Sequence, residues 1–138
     1  MRHSYHCLRA LFARRFDRVQ DKVTLTEALD ELTEFWSQRM VAEANGSLFK
    51  VAKGIGSTRW HSHDDQDETF LLIDGTLTVQ LRDRDVILNP GDLFVVPRGV
   101  EHCPVAEDEV RFLIIGTTTT SNAAGGKPGW SYNGGRPE

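Results

Sequence analysis

Cysteine is scarce: the chain has Cys7 and Cys103 and no CxxC pair. That excludes a disulfide framework and leaves no sulfur set for a structural zinc, so a reducing cytoplasm is the expected compartment. Long apolar runs are missing as well, the cleanest being residues 70–73 and 112–115, far short of a membrane span. Basic charge is not in excess, with 16 Lys and Arg against 20 Asp and Glu and a net charge of −4. Nothing in that balance attracts nucleic acid. No GxSxG elbow and no P-loop occur, and Gly54-Ile55-Gly56 lacks the third glycine and the helix of a dinucleotide fingerprint. Serine-hydrolase, nucleotide-phosphate and dinucleotide chemistry are thereby set aside.

What remains is ordinary for one soluble domain: 138 residues, 39% hydrophobic and 26% charged. Residues 1–22 read as an N-terminal extension in which Arg2, Arg9, Arg14 and Arg15 precede the first acid, Asp17. The bias is shared with transit peptides. Leu8, Leu11, Phe12, Phe16 and Val19 recur at helical spacing, and the favoured reading is an extension docked on its own barrel or on a partner subunit. His3 and His6 are exposed bystanders in this reading. A firmer helix is expected from Thr24, where Thr24-Leu25-Thr26-Glu27 has the capping-box form. Its apolar stripe runs through Leu25, Ala28, Leu29, Leu32, Phe35 and Trp36 and should lie against the body, with Trp36 either packed or lining a pocket.

From residue 39 the pattern turns to strands. Residues 40–44 and 47–53 flank Asn45-Gly46, a strong signal for a type I′ hairpin. Residues 77–82 alternate apolar and polar side chains. Short strands are expected at 86–88, at 93–96 as a buried strand, at 100–106 and at 110–115, with an acidic turn at 107–109 between the last two. This spacing predicts an all-β jelly-roll sandwich with one N-terminal helix packed on it. Residues 117–138 form an irregular C-terminal tail in which Trp130 and Tyr132 anchor it or cover a ligand pocket.

Chemistry concentrates in Trp60-His61-Ser62-His63-Asp64-Asp65-Gln66-Asp67-Glu68. On an extended strand His61 and His63 project the same way, so two imidazoles can share an ion. Glu68 lies an odd number of residues beyond His63, so the acidic segment between them must bend the chain before its carboxylate can join. Asp64, Asp65 and Asp67 are solvated turn residues, though any could replace Glu68 as the oxygen ligand, and Glu68 is itself open to a salt bridge. His102, after the turn Pro97-Arg98-Gly99, is the natural third imidazole. Cys103 adjoins it and points to the opposite face. Arg59 and Arg98 are surface charges or rim contacts for an anionic substrate.

Together these spacings resemble the cupin family. Its first motif, a glycine, HxH, a glutamate and a glycine, is matched by Gly56, His61, His63, Glu68 and Gly75. The second, a glycine, then proline, glycine and histidine, is matched by Gly91, Pro97, Gly99 and His102. Gly56 leaves four residues before His61 where five is usual, and Ala106 stands where an asparagine often closes the second motif. Neither position carries a ligand. The resemblance spans residues 23–115, and Trp60 with Asp67-Glu68-Thr69-Phe70 is most like the small single-domain members. It implies a double-stranded β-helix, a divalent transition metal (Fe, Mn, Ni, Co, Cu or Zn) held by His61, His63, Glu68 and His102, a small-molecule ligand and a homodimer. The implied activity is dioxygenase-like or isomerase-like. The alternatives are a non-catalytic ligand-binding barrel and a metal that serves only as a structural clamp.

Overall fold

Asn45 and Gly46 hold positive φ angles of 52° and 78°, which only short polar residues and glycine adopt readily. They turn β1 (Arg39–Ala44) back on β2 (Ser47–Ser57), as the Asn-Gly signal predicts. A computed structural model of the chain describes residues 19–117. All but the first residue of the expected tail, including Trp130 and Tyr132, and all but the last four residues of the expected extension lie outside them. The strands that follow are β3 (Glu68–Asp74), β4 (Leu77–Leu81), β5 (Asp85–Leu88), β6 (Leu93–Val96) and β7 (His102–Gly116). Every pairing is antiparallel, in the order β1-β2-β7-β3-β6, with β4 joining β5 to β7. The architecture is the expected all-β jelly-roll barrel, with one helix outside it among the described residues.

β7 differs from its expectation. Instead of two strands separated by a turn at 107–109 it is a single strand of 15 residues. Its first part pairs with β4, from Leu81↔His102 to Thr78↔Val105, and its second with β3, from Leu72↔Phe112 to Thr69↔Ile115. β2 runs alongside both parts, slipping register where Gly54 faces Val110 and Gly56 faces Ala106. The exposed acids Glu107, Asp108 and Glu109 occupy that irregularity, so the chain passes from its β4 partner to its β3 partner without leaving the strand.

Register sorts the side chains. Ala52, Phe112 and Leu72 are aligned across β2, β7 and β3 and are buried in the main core, with Phe70 and Ile114 in the next inward row. Val51, Leu113 and Leu71 align on the outer face, where Leu29 and Leu32 cover them. Leu29 comes from α1 (Leu25–Asp30), and burying each leucine contributes roughly 1.5–3 kcal/mol. Thr24 does precede this helix, but its side chain makes no capping hydrogen bond, so the capping box is not formed. β6 is also less buried than expected. Leu93 and Val95 are 60% and 42% exposed because β6 closes the sheet as an edge strand, and only Phe94 and Val96 turn inward.

Trp36 leaves the helical stripe altogether. The helix ends at Asp30, and Trp36 takes a positive φ of 61° inside the barrel. There its backbone N–H donates to Lys53 O at 2.6 Å and its Nε1–H to Ile55 O at 2.9 Å. Gly54 makes room: a Cβ there would lie 2.6–2.9 Å from the indole ring. No helix among the described residues is long and apolar enough to cross a membrane.

Candidate metal centre

His61 and His102 face each other across an isolated antiparallel bridge, His61 N donating to His102 O at 3.0 Å and His102 N to His61 O at 2.9 Å. Segment 58–67 is therefore only locally strand-like. His63 is held by its carbonyl, which accepts from Gly99 N at 2.8 Å in the turn before His102. The chain then bends at Asp64 and Asp65, as the odd spacing to Glu68 requires, and Glu68 begins β3 opposite Val96. One carboxylate and three imidazoles thus converge from a loop and two strands. One potential ligand atom from each of the four lies within 4.8 Å of the other three.

The hydrogen bonds orient these rings. Arg59 O accepts from His61 Nδ1 at 2.6 Å and Val100 O from His102 Nδ1 at 2.9 Å. Each Nδ1 therefore carries a proton, so if either ring is deprotonated at one nitrogen, that nitrogen is Nε2. His102 Nε2 nevertheless sits 3.2 Å from Glu68 Oε1, with the imidazole fully buried and the carboxylate 4% exposed. A lone pair and a carboxylate oxygen at that distance repel unless a cation, a proton or a metal ion, lies between them. His63 Nε2 is 3.1 Å from Glu68 Oε2, an ion-pair distance, but it is buried without an aligned hydrogen-bond partner. Those two nitrogens and the carboxylate fit a shared cation.

Proton affinities point the same way. Burial alone would raise the Glu68 carboxyl, but the His102 and His63 imidazoles against it outweigh that effect and hold the group down at about 2. Burial lowers His61 to about 4, so its imidazole is unprotonated at neutral pH. Both are in the form a metal needs, and the mixed nitrogen and oxygen set suits a divalent transition metal. Cys103 stays outside the cluster. Its buried thiol donates to Thr58 O at 3.1 Å, and burial pushes its pKa up. Asp64, Asp65 and Asp67 are exposed, and Glu68 is the carboxylate within the cluster. Arg59 is exposed, and Arg98 pairs with Asp67, its backbone N 2.9 Å from Oδ1.

A small pocket adjoins His61 and Glu68. Trp36, Ala52, Phe70, Phe112 and Ile114 make its apolar wall, and Gln38 and Thr58 add polar atoms. The spacing of motifs did not point to Gln38, nor to the buried Gln66 and Lys50. Lys50 had a signal: it shares the inward parity of Ala52 on β2. Its pKa is lowered by burial, an effect the Glu68 charge partly offsets.

A jelly-roll barrel with three imidazoles and a carboxylate turned toward one point inside it defines a class of small barrels equipped to hold a metal ion. The chain belongs to the cupin family, whose cupin domain matches residues 47–116. It is 28% identical over 74 residues to YdbB, an uncharacterized protein of Bacillus subtilis strain 168, covering 53% of this chain and 66% of that protein, just under two thirds of its length. Among solved structures, a cupin-2 domain containing protein from Shewanella frigidimarina NCIMB 400 is 38% identical with a TM-score of 0.66, covering 67% of this chain and 91% of that one. The hydroquinone 1,2-dioxygenase of Sphingomonas sp. TTNP3, with 4-hydroxybenzoate bound, is 16% identical with a TM-score of 0.57, covering 70% of this chain and 78% of that one. The last likeness concerns the fold alone.

Proposed function

We propose that His61, His63, Glu68 and His102 bind one divalent transition metal ion and that the protein is a metal-dependent enzyme acting on a small molecule in the adjoining pocket. The observation that carries this reading is the convergence of four ligand atoms within 4.8 Å, two of the imidazoles having Nδ1 tied to backbone carbonyls. When bound, such a metal supplies Lewis acidity to a substrate oxygen or to water. The chain supplies the rest. Trp36, Phe70 and Phe112 exclude water from an apolar body, while Gln38 offers an amide that can orient a polar group beside His61 and Glu68. The fitting substrate is small, with an apolar body and an oxygen at one end. Family resemblance makes the chemistry dioxygenase-like or isomerase-like.

A second reading, a non-catalytic binding barrel with a structural metal, draws on one observation: beyond His61 and Glu68 the pocket lining holds no titratable side chain to move a proton. A homodimer belongs to either reading, supported by Met40, Leu93 and Val95, which are 43%, 60% and 42% exposed on the edge strands β1 and β6. The test is metal analysis of the purified protein and of His61→Ala and His102→Ala. Wild type should carry one ion. Each variant should lose affinity by more than the roughly 10–100-fold that outer partners of a metal site are worth. Equal metal content in all three would overturn the ligand assignment. Turnover by the loaded protein of a panel of small carbonyl compounds and phenols separates enzyme from binding barrel.

A further inference from the structure

Segment 58–67 carries two of the imidazoles in a stretch that is only locally strand-like. Its backbone ties to the strand side include Thr58 N to Pro104 O at 3.1 Å, the two bonds of the His61–His102 bridge, and Gly99 N to His63 O. Something further braces it from outside. Arg82, one residue past β4, lays its guanidinium carbon 3.8 Å from the centroid of the Trp60 ring. The same guanidinium donates through Nε at 2.7 Å and Nη2 at 2.6 Å to Glu101 Oε2. Trp60 immediately precedes His61, and Glu101 immediately precedes His102. The backbone of Arg82 is itself fixed, because its neighbour Leu81 is the register partner of His102 in the β4–β7 ladder.

We propose that Arg82 is a positioning residue for the metal centre: by stacking on Trp60 and pairing with Glu101, it sets the separation and tilt of the His61 and His102 imidazoles. The proposal rests on the metal-binding reading above. A guanidinium suits this task because its plane offers a face to the indole and edge N–H groups to the carboxylate at once, which an ammonium cannot do. Neither Trp60, Arg82 nor Glu101 lines the pocket or belongs to the ligand cluster. The Arg82 and Glu101 side chains are 61% and 53% exposed, so the pair adds little to the stability of the fold. Its effect is concentrated on the two rings it spans.

The test uses the full chain, stripped of metal and titrated with cobalt(II) alone, and reads the dissociation constant and the visible absorption band. Arg82→Ala should weaken cobalt(II) binding about tenfold and shift the band. Arg82→Lys should recover part of the affinity and not the wild-type spectrum. The metal-free melting temperature should stay close to wild type in both. An Arg82→Ala protein with affinity within twofold of wild type and an unchanged band overturns the inference while leaving the metal reading intact. Wild type that takes up no metal overturns the metal reading first. If Arg82→Ala melts well below wild type, Glu101→Gln decides: weaker binding with a shifted band supports the brace, and unchanged binding overturns it.

Discussion

Burial acts on His61 and Glu68 in ways that agree at low pH. The folded chain resists protonating His61 until about pH 4, whereas the unfolded chain takes up that proton near 6.5. Between those values the unfolded state binds more protons, so stability falls as pH falls through the window. Glu68 then adds a second loss: unfolded, it protonates near 4.5, but folded it stays ionised down to about 2. Both shifts therefore favour the folded state near neutrality. Metal-free protein should lose stability steadily from pH 7 to pH 3, with the His61 part on the order of 3 kcal/mol. Thermal melts followed by circular dichroism check this. In His61→Ala the decline between pH 6.5 and 4 should flatten; a wild-type melting temperature constant across the range would contradict both assignments.

Strand β2 shows how a small residue can decide where a large one goes. The Trp36 ring lies against Gly54, so Gly54→Ala must push the indole away or strain the strand. Overpacking of this kind costs roughly 1–3 kcal/mol, partly offset by about 0.4–1 kcal/mol from a stiffer unfolded chain. A lowered urea midpoint with a changed near-ultraviolet signal from the tryptophans is expected; an unchanged midpoint would mean that Trp36 has room to spare. The same contact explains what could be read in advance and what could not. The hairpin at Asn45-Gly46 and the grouping of His61, His63, Glu68 and His102 were legible because turn chemistry and motif spacing are written in adjacent or regularly placed residues. Leu25, Leu29 and Leu32 set a helical period that Trp36 continues in sequence, whereas its position depends on Lys53 O and Ile55 O on another element. Residues 107–109 looked like a turn for a similar reason. Three consecutive acids favour a loop locally, but here partner strands on either side of them keep the chain extended. The exposure of Leu93 and Val95 depends on β6 being an edge, which is a property of strand order and not of the residues themselves.

The four grouped side chains also tie together parts of the barrel that are distant in sequence: loop 58–67, the start of β3, which pairs with β6, and the start of β7, which pairs with β4. An ion held among them is a cross-link present in the folded chain and absent from the unfolded one. Its binding free energy must then appear as folding stability. At a free metal concentration about 100 times the dissociation constant, the gain is about 2.7 kcal/mol, which for a domain of this size moves the melting temperature up by roughly 10 °C. Calorimetry of the full chain with a chelator, and then with a stepwise excess of zinc or manganese, should trace that rise logarithmically with metal concentration. His102→Ala should show almost none of it, because removing one imidazole takes away a ligand and the partner that holds Glu68 ionised. A wild-type melting temperature that stays flat while metal analysis finds one bound ion would place that ion on groups equally available in the unfolded chain, and so away from the barrel interior.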